Sequence, residues 1–295
     1  MHKRNILNSP RLLELKNKRR KIIVRKILII VIGLVLAFGV LSYISRLNRL
    51  NITGVNVEGN KVIDSEAIVK IVNKETSGKY LWLFPKTNIL LYPKNKIKLS
   101  LGNEFKRLTN IDIGTRDKNI IVSVEEREPS YTWCGNMPPA NQQEDQKETC
   151  YFLDKEGYIF DEAPYFSGEV YFKFYGSTGK DGIPSGAYLA HGFFDKLIDF
   201  KDSLSNMNLK PVMLYLEEGK NAKIFLTKKS STINPEIRFK KDSDFKKIAT
   251  NFKAALDTEP LLSKFKNEYS KLEYVDLRFG NKVYYKFKNS PAPNE

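Results

Sequence analysis

Residues 27–45 read ILIIVIGLVLAFGVLSYIS, nineteen positions without a charge, bounded by Lys26 and Arg46. As a helix they would extend roughly 28 Å, close to the ~30 Å hydrocarbon thickness of a bilayer. In lipid the backbone must satisfy its own polar groups, so a helix is the form open to a single span. The run is longer than the apolar region of a signal peptide, and Phe38, Leu41, Tyr43 and Ile44 crowd the place where a small-x-small cleavage site would fall. A retained anchor is therefore expected rather than a cleaved leader or a buried core helix.

Beyond the run the pattern changes period. GVNVEGN at 54–60 alternates Val55 and Val57 with Asn56 and Glu58 and ends on a Gly-Asn turn, which predicts a strand. A helix over 66–72, capped by Asp64 or Ser65, would carry Ile68, Val69, Ile71 and Val72 on one stripe. A long link over 73–92 holds Tyr80, Trp82, Phe84 and Tyr92. A second helix over 95–108 places Ile97, Leu101, Phe105 and Leu108 at helical spacing. Strands over 110–115 and 119–126 meet at the turn Asp117-Lys118-Asn119, with Ile120, Val122 and Val124 inward. The order β-α-α-β-β suits two helices on one face of a three-stranded sheet.

The second half reads as a mixed sheet with two packed helices. Short strands are expected at YTW (131–133), on either side of the turn Asp154–Gly157 within YFLDKEGYIF (151–160), and over 169–175. A hairpin is expected from 211–217 and 222–227, with a weak strand over 235–239. Helices are expected over 190–207, with Phe193, Leu197, Phe200 and Leu204 on one side, and over 242–256, capped by Asp242. The strands 271–279 and 282–288 flank a Gly280-Asn281 turn. Residues 289–295 form a polar tail with two prolines and are expected to be disordered.

Charge sets the expected orientation. Residues 1–26 hold ten Lys/Arg, Arg25 and Lys26 among them, against Glu14 alone, so nine of the chain's fifteen net positive charges lie there. The positive-inside rule then keeps this tail cytoplasmic and exports residues 46–295, with Arg46 flanking the far side. Anionic headgroups account for the basic tail, and nucleic-acid binding is not expected.

Both cysteines, Cys134 and Cys150, fall in the exported part and bracket a polar loop between two strand ends. In an oxidising compartment a disulfide is expected over two free thiols. Closing such a loop contributes about 3 kcal/mol in the chain-entropy account. Catalytic material is sparse. The two histidines are His2 in the tail and His191 at a helix start, two thiols cannot build a four-thiolate zinc site, and Gly176–Lys180 lacks P-loop spacing. The acid pairs Glu125/Glu126 and Asp199/Asp202 read as a strand end and a solvated helix face. Neither a cofactor, a metal nor a small-molecule substrate is expected, and no enzymatic activity. Tyr80, Trp82 and Phe84 are expected to pack against the two helices of the first domain, the alternative being a contact near the membrane.

Four stretches in order resemble the FtsQ/DivIB family of bacterial cell-division proteins: GVNVEGN at 54–60, VSVEEREP at 122–129, YFLDKEGYIF at 151–160 and EYVDLRFGNKVYYK at 273–286. The chain departs from the family pattern in the adjacency of Leu153 and Asp154, in Phe279 where a tyrosine is usual, in the insertion 134–150 and in the link 73–92. The resemblance implies an α+β protein with a basic tail (1–26), a single transmembrane helix (27–45), a small polypeptide-transport-associated (POTRA) domain (50–127), an FtsQ-type β domain (128–288) and a tail (289–295). It implies a single-pass protein of the bacterial inner membrane at the division septum. The role it implies there is a non-enzymatic scaffold that binds single-span coiled-coil proteins of the FtsB and FtsL type and links them to septal peptidoglycan synthases. An alternative is an envelope protein of transport or assembly that receives polypeptide chains.

In that family the partner adds a strand to the last strand of the second domain. The alternation here would put Leu272, Tyr274, Asp276 and Arg278 on one face of the penultimate strand and Val275, Leu277 and Phe279 on the other. Asp276 and Arg278 are expected as a local ion pair. In the last strand Val283, Tyr285 and Phe287 would point inward, with Lys282, Tyr284, Lys286 and Lys288 outward. Edge lysines discourage self-pairing and would admit an acidic strand. Arg278, Phe279, Tyr284, Tyr285 and Lys286 are the candidate partner site.

Overall fold

A computed structural model describes residues 10–139, 148–179, 182–227 and 234–288. The first residues of the basic tail with His2, most of the cysteine loop, Lys180 and the tail 289–295 lie outside the described residues. The protein is mixed α+β, with one long apolar N-terminal helix and a large mixed sheet. It divides into two compact units, Met1–Glu104 with Asn110–Glu125, and Phe105–Thr109 with Glu126–Glu295.

In the first unit the helix α1 (Pro10–Ser45) takes in the whole apolar run and continues back into the basic segment. From Glu14 to Ser45 it is long and apolar enough to cross a membrane, and almost none of it is buried. Its last turn is the exception. Ser42 and Ser45 are buried, and the amides of Asn51 and Asn88 donate to Ser45 O at 3.1 and 3.0 Å. A helix end leaves its last carbonyls without intrahelical partners, and these two side chains answer that need.

The small layer consists of β1 (Gly54–Glu58), α2 (Ser65–Thr76), the two-residue strands β2 (Lys79–Tyr80) and β3 (Phe84–Pro85), α3 (Lys94–Glu104), β4 (Leu108–Arg116) and β5 (Asn119–Glu126). The sheet order is β1-β5-β4, with β1 parallel to β5. Asp64 caps α2 by accepting from Glu66 N at 3.1 Å, and the helix runs four residues past its predicted end. Ile68, Val72, Ile97, Leu101, Ile113, Ile120 and Val122 are fully buried. Glu75 on α2 accepts from Ser100 on α3 at 2.9 Å and pairs with Lys96 at 2.8 Å. These bonds hold its carboxyl below the ordinary value, Lys96 contributing most.

Two expectations fail here. The second helix ends at Glu104, so Phe105 is not on it and Leu108 opens β4. The nine-residue β4 claims Leu108 for its ladder, and Gly102-Asn103 are poor helix formers that ease the exit. The link aromatics do not share a packed role either. Phe84 is half-buried, but Trp82 is 90% exposed at the tip of the β2–β3 hairpin, with Leu81 and Trp82 both at positive φ.

In the second unit β6 (Tyr131–Trp133), β7 (Cys150–Leu153), β8 (Ile159–Ala163), β9 (Lys173–Gly176), β10 (Pro211–Leu216), β11 (Asn221–Leu226), β12 (Glu236–Lys240), β13 (Leu272–Phe279) and β14 (Lys282–Phe287) form one sheet. Its order is β14-β13-β12-β11-β10-β9-β6-β7-β8. The helices α4 (Phe194–Ser205), α5 (Phe245–Leu256) and α6 (Leu261–Glu268) contribute Leu197, Phe200, Ile248, Phe252 and Leu261 to the same core as Leu214, Ile224, Ile237, Phe239 and Val275 of the strands. Among the described residues three α-helices stand where two were expected. Helix α4 starts later than predicted, because Ala190 and Gly192 adopt positive φ, and His191 therefore precedes it. The cap of α5 is Asp244, accepting from Lys247 N at 3.1 Å, and not Asp242, which lies two residues too early to reach the free amides. Strand β9 begins at Lys173, four residues later than predicted.

Register sets Trp133 against Tyr151, so Cys134 and Cys150 face each other and are joined by a disulfide. Glu148 lies beside the sulfurs but is engaged by Tyr175 Oη at 2.8 Å and Lys173.

Candidate functional site at the edge of the large sheet

The last two strands form one border of the nine-stranded sheet among the described residues. Strand β13 is parallel to β12 on one side and antiparallel to β14 on the other. The register places Tyr274 against Lys286, Val275 against Tyr285 and Asp276 against Tyr284. It shifts between Leu272 and Tyr274 and again between Asp276 and Phe279. Each shift spends an extra residue on β13, and an extra residue reverses which face the next side chain takes.

Those two reversals correct the simple alternation. Leu272 joins Val275 and Leu277 in the core instead of sharing a face with Tyr274. Phe279 leaves the face of Val275 and Leu277, stands 56% exposed, and packs edge-to-face on Tyr284 at 5.2 Å between centroids. The Arg278 guanidinium lies 5.8 Å from the Phe279 ring. Strand β14 keeps its parity, with Val283, Tyr285 and Phe287 against the core and Lys282 and Tyr284 exposed.

Electrostatics tighten the outward face. Asp276 is only 3% exposed and is served by its own strand neighbour. Arg278 N donates to Oδ1 at 3.0 Å, and Arg278 Nε donates to Oδ1 and Oδ2 at 2.9 and 3.1 Å. The expected ion pair is thus present along the strand. The bond to Asp276 raises Arg278 above its ordinary value. Lys286 pairs with Glu273 at 2.8 Å, and that hydrogen bond lifts its ammonium as well. On the neighbouring strands Arg238 pairs with Glu236 and stacks 4.1 Å over the Tyr274 ring. Lys223 bridges Glu217 and Glu236 at 2.9 and 3.5 Å. Burial pulls Lys223 down, but the two carboxylates outweigh it and the net shift is upward.

Of the five candidate residues, Arg278, Phe279 and Tyr284 therefore meet on one outward patch. Lys286 belongs to the same face but is held by Glu273. Tyr285 does not join them: its ring faces the core beside Phe287, with Lys264 5.6 Å above it, and borders an open groove of about 420 Å³ between the α5–α6 turn and β14. Glu273, Tyr274, Glu236 and Arg238 were missed. The alternation of Glu236 and Arg238 with Ile237 and Phe239 signals their face, but nothing local signals that β12 lies next to β13. The flanking charges Arg25 and Lys26 lie within α1, and Arg46 follows it, donating to Leu83 O at 3.4 Å.

Two other quoted stretches meet elsewhere in this unit. Arg127 forms an ion pair with Asp154 and stacks 4.1 Å over Tyr158. Asp154 Oδ1 also accepts from Glu156 N and Tyr158 N at 2.9 Å each, so one carboxylate shapes its turn and neutralises the arginine. These are structural duties. Compared with known proteins, the chain matches no family model and no curated protein.

Proposed function

We propose that this chain is a membrane-anchored, non-enzymatic scaffold of the FtsQ/DivIB type, which binds single-span division proteins of the FtsB and FtsL type through the border strand β14. On this reading α1 is the span, the N-terminal tail is cytoplasmic and the two units are exported at the septum. The small layer is the POTRA domain and the second unit the FtsQ-type β domain. The observation that carries the proposal is a border strand whose outer side pairs with no other strand among the described residues, beside an exposed Phe279–Tyr284 pair. Such a strand offers backbone groups for strand addition, and its flanking side chains supply selectivity. Further support comes from the β-α-α-β-β order after one long apolar helix and from the meeting of Arg127 with Asp154.

The test is co-purification of single-span coiled-coil proteins with the full-length protein from membranes, together with the position of a fluorescent fusion. Midcell signal and capture of such partners, lost in Phe279→Ala/Tyr284→Ala, are expected. These variants are preferred to Tyr285→Ala, which would disturb the core as well. Diffuse envelope signal without such partners would defeat the proposal.

A further inference from the structure

The hairpin of β2 and β3 exposes apolar surface that the small layer does not use. Leu81 is 81% exposed and Trp82 90%, and Leu90 is exposed as fully as Leu81. Leu81 and Trp82 hold positive φ, a conformation that bulky residues rarely adopt. Strain and exposure together at one tip point to a site with a purpose outside the fold.

What lies next to that tip is the end of α1. The Leu83 carbonyl accepts from Ser42 Oγ at 3.0 Å and from Arg46 Nε and Nη2 at 3.4 Å. Ser42 lies within the uncharged run, about one helical turn before Arg46. The hairpin is thereby fastened at the level where the run gives way to charge. The buried Asn88 amide, donating to Ser45 O, fixes the following segment at the same level, and Leu90 N in turn donates to Asn88 Oδ1 at 3.0 Å. Basic residues flank these positions along the chain. Arg46, Arg49 and Lys79 are exposed, and the Lys86 ammonium stands 5.7 Å over the Tyr80 ring. Tryptophan and leucine flanked by lysine and arginine suit the boundary between phospholipid headgroups and acyl chains.

We propose that Leu81, Trp82 and Leu90 form a second membrane contact, inserted into the interfacial layer of the leaflet that α1 leaves, so that the small layer is held against the bilayer at two places. The occupant of the patch is phospholipid. The inference rests on α1 being a span, and the test separates the two claims.

The chain has two tryptophans, Trp82 and the buried Trp133, whose Nε1 donates to Gly176 O at 2.8 Å. The full-length protein is reconstituted in phosphatidylcholine/phosphatidylglycerol vesicles with and without acyl-chain-brominated lipid, and tryptophan emission is recorded. Brominated lipid is expected to quench part of the emission, and Trp82→Phe is expected to remove that quenchable part. Trp82 is exposed and lies outside any core, so this variant keeps the fold. Trp82→Phe/Val35→Trp reports on α1 itself, since Val35 is exposed in the middle of the run. Quenching of the Val35→Trp reporter, with wild-type emission unaffected by brominated lipid or equally quenched in Trp82→Phe, would overturn the interfacial contact and leave the span standing. An unquenched Val35→Trp reporter would overturn both. A protein partner on the patch would show itself as the first of these results.

Discussion

The nine-stranded sheet has two borders, and the protein treats them differently. At β8 the chain returns and pairs with the start of the strand. Gly186 N donates to Ile159 O at 2.7 Å, Ile159 N to Ala187 O at 2.9 Å and Leu189 N to Gly157 O at 2.9 Å. Beside it Arg127–Asp154 and Arg107–Asp161 are buried or half-buried ion pairs, with Arg107 stacked 4.9 Å over Phe160. At β14 no returning segment pairs with the outer side among the described residues, and its ion pair Lys286–Glu273 sits half in solvent. An open strand edge is a hazard that natural proteins cover or charge. This one covers the start of β8 with its own backbone, while β14 carries lysines and pairs with a bulged β13. The difference assigns stability to the first border and leaves the outer side of the second without a strand among the described residues.

The comparison breaks if the closed border is not where stability lies. Asp154→Ala removes the charge that faces Arg127 and the acceptor that shapes the turn, leaving the arginine without its ion pair. Loss of one partner of a buried pair costs about 3–5 kcal/mol, and urea denaturation of residues 46–295 should show a change of that size. Gly157→Ala is expected to cost somewhat less, about 1–3 kcal/mol. Gly157 has φ +81°, and an added Cβ would fall 2.7 Å from Phe194 Cγ. The ring must shift, and Phe194 belongs to the core.

How far these two borders could be read from sequence differs for physical reasons. Strand β14 and its turn were legible, since alternation and Gly-Asn are local signals. The side of Phe279 was not, because two bulges reverse parity on β13, and a bulge depends on the partner's register. Asp154 and Arg127 were each visible in a quoted stretch, but their pairing spans 27 positions and needs the fold. Helix α6 was missed because it is short and buries only Leu261, too little periodicity to detect. The apolar run was unmistakable. Its two serines near the end carried no message until Leu83 and Asn88 stood beside them.

At the open border the same logic predicts changes in binding rather than in folding. Tyr284→Ala removes an exposed ring, so stability should move by no more than about 0.5 kcal/mol. On the proposed function, affinity for the single-span partner should fall about tenfold, or about 1.4 kcal/mol, measured by titration in detergent. A Lys286→Glu/Glu273→Lys exchange keeps the pair across β13 and β14 while altering the order of charge along the border strand. Folding should be unchanged, and the salt dependence of partner association should change. Unchanged affinity in Tyr284→Ala together with an unchanged salt profile in the exchange would make β14 an ordinary edge.

Alkaline pH gives the finest separation of the two borders. Burial raises the Tyr158 phenol, outweighing the opposite pull of Arg127. The folded protein then keeps a proton that the unfolded chain releases, so stability falls as pH rises through the ordinary tyrosine range towards the raised value. Tyr158→Phe keeps a ring for Arg127 and should lessen that decline, the rest of which comes from Tyr131, Tyr175 and Tyr269, whose phenols burial also raises. Lys286 is also raised, by Glu273, and its contribution is present below the ordinary lysine value and lost as pH climbs through the raised one. That group is solvated and its pair is worth little, so Lys286→Met should leave the alkaline limb almost where it was. If Lys286→Met flattened the limb and Tyr158→Phe did not, the assignment of stability to β8 and of availability to β14 would have to be exchanged.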